Sequence, residues 1–140
     1  MTSALFVVAV AALTVAVDVA AKRVVVARLA EGRLYGAHGV GFRRTHNRGA
    51  ASSRLPLRHA MAAWAALAVV LTWAAATRPS ASPLVATGFG LAIGGAAGNL
   101  VDRVRSAAIV DFVAAGPWPV FNLADAAMVA GVVLAVGALV

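Results

Sequence analysis

Two aspartates set the chemistry that this sequence could carry. Asp111 stands in Ile109-Val110-Asp111-Phe112, with apolar residues on both sides, and Asp125 closes Phe121-Asn122-Leu123-Ala124-Asp125. Between them runs a short return through Gly116-Pro117-Trp118-Pro119. Such a return brings its ends together, so the two acids can face each other. Facing carboxylates share one proton, because neighbouring like charges resist double ionisation. The neutral acid can donate a hydrogen bond to a carbonyl oxygen. Its ionised partner can take a proton from water, which then attacks the carbonyl carbon. That is the chemistry of an aspartic peptidase. Paired carboxylates also serve glycosidases and proton-coupled transporters. The pair alone therefore leaves a small proton-coupled membrane transporter, or a purely structural membrane subunit, open beside a peptidase.

The surroundings make the acids costly. Of the 140 residues 62% are hydrophobic and only 12% charged, with a mean hydropathy of +0.90. Soluble domains carry about 25% charged residues, so the composition points to an integral membrane protein. An Asp at the centre of a membrane helix costs ~2.5 to 3.5 kcal/mol. Something must offset that cost, and function at a wet or paired site is the usual reason. The structural alternative for Asp125 is a helix cap. With Asn122 as N-cap, Asp125 falls at the third helical position, close to a capping box. That reading leaves Asp111 unexplained.

Other chemistries are poorly supplied. There is no cysteine, so thiolate catalysis and Cys-based metal sites are excluded. His38, His46 and His59 show no ligand spacing, so no metal site is expected, and no cofactor. The net charge of +7 comes from Arg residues clustered between apolar runs. Anionic membrane phospholipid is the expected partner of those cations, rather than nucleic acid.

The elements that must position the acids are membrane spans. A span needs ~20 mostly apolar residues, and four are expected, at about 4–22, 59–77, 84–100 and 121–139. Four spans and their loops use most of the chain, so a single bundle domain over 1–140 is expected. A signal peptide would want positive charge near its start, and residues 1–21 hold no Lys or Arg. Asp18 and Lys22, four apart, share a helix face. They are expected either to neutralise each other at the membrane edge or to brace the site. Residues 28–58 carry seven Arg and several Gly, and cannot span. The alternation in Leu34, Val40 and Phe42 predicts short strands, and Asn47-Arg48-Gly49 a turn. Gly90, Gly94 and Gly98 put small residues on one face of the third span, a close-packing seam. Asn99 to Arg103 is expected to end that helix, and residues 104–120 to return along the surface.

These residues together resemble lipoprotein signal peptidase, the type II signal peptidase of bacteria. The likeness is carried by Asp18-Val19-Ala20-Ala21-Lys22, Asn47-Arg48-Gly49-Ala50-Ala51-Ser52, Gly94 to Arg103 (GGAAGNLVDR), Val110-Asp111-Phe112 and Phe121 to Asp125 (FNLAD), in family order. The resemblance implies an all-α membrane protein of four transmembrane helices, with a small extracytoplasmic β element and a surface helix or loop. It implies an endopeptidase that cleaves prolipoproteins just before a diacylglyceryl-modified cysteine. By match, Asp111 and Asp125 are the catalytic dyad. Asn47, Asn99, Asp102, Arg103 and Asn122 match polar residues around it. Arg103 is expected to orient substrate backbone or to pair with Asp102, and Asp18 and Lys22 to give support.

The resemblance further implies a multi-pass protein of the bacterial inner membrane, with its active site near the extracytoplasmic face. Charge counting disagrees. Only Arg78 lies in the middle turn, so the positive-inside rule puts the Arg-rich first loop in the cytoplasm. We follow the resemblance, because the dyad must meet its substrate at the outer leaflet.

Overall fold

The computed structural model describes residues 3–47, 66 and 82–138. The expected second span, 59–77, therefore lies outside the described residues except for residue 66, as does most of the Asn47-Arg48-Gly49 turn. In chain order come α1 (Ser3–Arg28), β1 (Leu34–Ala37), β2 (Val40–Asn47), α2 (Pro83–Ser106), β3 (Ile109–Ala115) and α3 (Leu123–Gly137).

Helix α1 has 26 residues, ~39 Å at ~1.5 Å per residue, enough to cross a ~30 Å hydrocarbon layer. Leu5, Val8, Leu13, Val17 and Val24 stay exposed along it. A helix that is apolar all round suits lipid or a deep interior. Both α1 and α2 are long and apolar enough to cross a membrane. Helix α3, at 15 residues, is shorter than the ~20 expected of a span. Helix α2 starts cleanly. Ser82 Oγ accepts from the Val85 amide at 3.4 Å, and Pro83 takes the first helical position, where its missing amide costs nothing.

Glycine sets the helix packing. A Cβ on Gly90 would meet Val10, one on Gly94 would meet Ala11 and Thr14, and one on Gly98 would meet Asp18. The expected seam is therefore real, and it runs against α1, with the two helices parallel. A second seam lies on another face of α2. There Gly88 packs against Gly131 and Ala135, and Gly95 against Ala124 and Met128. That order makes α3 antiparallel. The C-terminal ends of α1 and α2 and the N-terminal end of α3 thus meet at one end of the bundle.

A three-stranded antiparallel sheet, in the order β1-β2-β3, covers that end. His38 (φ 52°) and Gly39 (φ 79°) form its two-residue hairpin, the left-handed pair that a type I′ turn requires. Val110 and Phe112 of β3 pack on Val25 near the end of α1. The helical part of the core gathers around Val7, Ala86 and Ile93.

Three expectations need correction. First, α1 runs past residue 22 to Arg28. Second, α2 does not stop near Asn99 but continues to Ser106. Its end is closed by Ala107 in the left-handed conformation, whose amide bonds to the Arg103 carbonyl at 3.1 Å. Third, 104–120 is neither a surface helix nor a plain loop. Its centre is β3, which pairs with β2 and is mostly buried.

Candidate active site

Each acid is delivered by its own element. Asp111 lies in the middle of β3, opposite Thr45 of β2. Residues diagonal across an antiparallel pair are within reach of each other. Asn47, two residues on from Thr45, donates Nδ2 to Asp111 Oδ2 at 3.0 Å. Thr45 Oγ1 donates to the Asp111 carbonyl at 3.4 Å. Thr45 was not among the residues singled out from sequence. A Thr in a strand gives no signal until its register is known.

Asp125 comes from the other side of the Gly/Pro return. Phe121 pairs back onto Val113, with hydrogen bonds of 2.7 and 3.1 Å. That closure sets Asn122 beside Asp111. Asn122 then caps α3 with a full capping box. Its Oδ1 accepts from the Asp125 amide at 2.9 Å, while its own amide donates to Asp125 Oδ2 at 3.2 Å. Such reciprocal bonds satisfy orphan donors of the first helical turn. The Asn122 Nδ2 group does more than cap. It donates to Asp111 Oδ1 at 2.7 Å and to Asn99 Oδ1 at 3.0 Å. Asn122 is fully buried, and it touches both carboxylates.

Asn99 on α2 completes the cradle. Its Nδ2 donates to Asp125 Oδ1 at 2.7 Å, and its Oδ1 accepts from Lys22 Nζ at 3.1 Å. Lys22, only 3% exposed, also pairs with Asp18 at 2.7 Å and with Asp102 at 2.9 Å. Asp18 Oδ1 accepts from the Ala124 amide at 3.0 Å. An anion there also favours the positive end of α3. Asp102 Oδ2 accepts from the Val110 amide at 3.1 Å. Asp18 and Lys22 form the expected ion pair, and it is buried, in contact with Asn99 and with the first turn of α3. Arg103 sits half-buried beside Asp102 on the last turns of α2.

The two acids differ in setting. Burial pushes the Asp111 carboxyl above the ordinary carboxylate range. The bond from Asn47 opposes that rise, and the nearby Asp125 charge adds to it. Asp125 is less buried and takes its hydrogen bonds from Asn99 and from the first turn of α3. Unequal surroundings around two neighbouring carboxyls are what an acid and a base need in order to divide their roles.

A family model described as signal peptidase (SPase) II matches residues 10–140. A protein of Rhodococcus jostii named lipoprotein signal peptidase is 38% identical over 135 residues, which cover 91% of this chain and 68% of that protein. A Syntrophomonas wolfei protein of the same name is 44% identical over 93 residues, covering 63% of this chain and 60% of that one. The chain thus spans about two thirds or less of these curated relatives. A solved structure described as a bacterial membrane enzyme, obtained by the in meso method at 1.9 Å resolution, superposes with a TM-score of 0.84. It is 23% identical, and the match covers 96% of this chain and 92% of that one. A second, at 2.3 Å resolution, gives 0.83 with 95% and 86% covered. By family model and by sequence, this chain belongs to the signal peptidase II family.

Proposed function

We propose that this protein is a membrane aspartic endopeptidase that removes the signal peptide of prolipoproteins before the diacylglyceryl-modified cysteine. One observation supports the reading above the others: the buried Asn122 bonds to Asp111 through its side chain and to Asp125 through its backbone. A residue that grips both acids holds them as a unit, and a unit is what shared-proton hydrolysis needs.

In this mechanism Asp111 starts protonated, which its burial favours, and donates a hydrogen bond to the scissile carbonyl oxygen. Asp125 serves as the base, positioned by Asn99 and the first turn of α3. It takes a proton from the water that attacks the carbonyl carbon. The Asp111 proton moves to the carbonyl oxygen, giving a gem-diol. Collapse of that intermediate returns the Asp111 proton from the diol, while the proton held by Asp125 passes to the leaving amine. Asn47 and Asn122 keep the Asp111 carboxyl in place through the cycle. Lys22, Asp18 and Asp102 fix Asn99 and the α3 end from behind. Arg103 is assigned to the substrate backbone.

The same reading places a single bundle domain of four spans in the bacterial inner membrane, with the dyad near the extracytoplasmic face. The substrates are diacylglyceryl-modified prolipoproteins, and the surrounding phospholipid is the solvent of the helices. The transporter alternative needs a continuous polar path. Among the described residues the polar cluster sits at one end, and the threonines deeper in α1 and α2 bond to their own helices.

The test is cleavage of a lipidated precursor peptide by the purified protein in detergent, followed by mass spectrometry. Asp111→Asn and Asp125→Asn should each abolish cleavage while leaving the thermal unfolding transition intact. Wild-type cleavage by either variant would overturn the dyad.

A further inference from the structure

A cavity of 310 Å³ opens between the C-terminal turns of α1 and α2, on the side of the Lys22 cluster. Its wall is built from one face of α1, with Val19, Lys22, Arg23 and Val26 at helical spacing, together with Arg105 of α2 and Val110 of β3. The lining is mixed in a particular way. The valines make an apolar bed, and cations stand at its rim.

The charges do not balance inside the cavity. Lys22 is engaged by Asp18 and Asp102. Arg23 and Arg105 are exposed, and among the described residues neither has an ion-pair partner. Helix C-termini ordinarily repel anions through bare carbonyls. At the end of α2 one of them is occupied, since the Ala107 amide covers the Arg103 carbonyl. The Ser106 hydroxyl lies within hydrogen-bond distance of the Asp102 and Ala108 carbonyls, at 3.0 and 2.9 Å. Asp102 also lines the wall, and its Oδ2 is taken up by Lys22 and the Val110 amide. What the cavity then offers a ligand is two guanidiniums over aliphatic side chains. Every Lys and Arg among the described residues lies at this end of the bundle or in the hairpin above it. In a bilayer, that end meets headgroups.

We infer that this cavity binds the phosphodiester headgroup of an anionic phospholipid, with Arg23 and Arg105 holding the phosphate and an acyl chain lying over Val19 and Val26. Guanidinium is the cation suited to bidentate phosphate contact, and basic pockets between membrane helices select acidic headgroups. The inference rests on the membrane reading above but not on the peptidase reaction. A lipid phosphate and free phosphate share the chemistry, and the lipid is favoured because the apolar bed adjoins the cations.

The experiment uses the full chain, delipidated in neutral detergent. Dioleoylphosphatidylglycerol, dioleoylphosphatidylcholine and inorganic phosphate are titrated separately, with bound lipid read by native mass spectrometry and stability by thermal unfolding. Phosphatidylglycerol should bind about ten-fold more tightly than phosphatidylcholine and should raise the unfolding temperature. The double variant R23Q/R105Q should weaken phosphatidylglycerol binding about thirty-fold, the sum for two interfacial cations. R28Q, an exposed arginine on the last turn of α1, should bind like wild type. Equal binding of the two lipids overturns the site. So does undiminished binding by R23Q/R105Q, or an equal loss in R28Q, which would mean a diffuse basic collar. Equal protection by inorganic phosphate overturns the lipid in favour of a free anion. Cleavage of the lipidated precursor, assayed in parallel, reports separately on the peptidase reading.

Discussion

Asp18 accepts a hydrogen bond from the backbone amide of Ala124 at 3.0 Å, across 106 positions of sequence. The contact carries the first helix to the first turn of the last one, directly beside Asp125. It makes the Asp18–Lys22 pair part of the frame of the site. The buried charges are arranged as one cation, Lys22, between Asp18 and Asp102.

Removing that cation should be severe. Lys22→Met leaves two largely buried carboxylates without their counter-ion, and breaking a buried pair this way costs about 3 to 5 kcal/mol. The double variant Asp18→Asn/Lys22→Met should lose less than the sum of the singles, because the two residues are in contact. Thermal unfolding of all three variants in one detergent measures the coupling. Strict additivity would mean that the contact does not matter to stability.

Asn122 separates two roles by chemistry. Asn122→Ala removes the cap, worth about 1 kcal/mol, and strips a donor from both Asp111 and Asn99. Asn122→Asp keeps an oxygen for the Asp125 amide but loses the Nδ2 donor. We expect the Ala variant to lose stability and activity together. The Asp variant should hold closer to wild-type stability, yet cleave about a hundred-fold more slowly, the scale of a misplaced reacting group. Comparable cleavage by Asn122→Asp and wild type would show that the bridge to Asp111 is dispensable.

Gly95 tests whether helix packing sets the site. A Cβ there would run into the Ala124 carbonyl and come within 2.7 Å of Met128 Cγ. Gly95→Val should therefore destabilise by about 1 to 3 kcal/mol or more. It should also displace the turn that carries Asp125, so that the activity of the remaining folded protein falls too. Gly137→Ala, with no atom within 4 Å of the added carbon, should be silent in both assays.

The raised Asp111 carboxyl predicts a pH dependence of stability. Its folded form keeps the proton above the ordinary value of 3.8, whereas the unfolded chain releases it near that value. The folded state therefore binds more protons in the window above 3.8, and stability falls as pH rises through that window. Asp111→Asn cannot titrate and should flatten this part of the profile. Unfolding midpoints of both proteins, compared from about pH 4 to 7, decide the matter, and parallel profiles would refute it.

Much of the site was legible because it is polar in an apolar chain. Asp111, Asp125, Asn122 and the i,i+4 pair of Asp18 and Lys22 stand out against their neighbours, and the glycine face of α2 follows from its period. What could not be read was register and reach. The stretch NLVDRVRS looks like a helix end, because its polar residues resemble a loop. They continue as helix because Lys22 and the Val110 amide satisfy Asp102. Strand β3 hid for the opposite reason. Val110, Phe112 and Ala114 are buried, but the partly buried Ile109 and Val113 on the other face are apolar too, so the alternation that betrays a half-exposed strand is missing. Sequence offered Arg103 as a partner of Asp102, while the structure brings Lys22 to it from another helix.

Synthesis order adds a consequence to the Asn122 bridge. A ribosome releases Lys22, Asn47 and Asn99 well before Asn122 and Asp125, and Asp111 shortly before them. Until those last two emerge, Asp111 has no bond from Asn122 and Asp18 has no amide to hold. The nascent chain can therefore enter the bilayer with the proposed dyad still unassembled, and its two acids are bridged only once α3 begins to form.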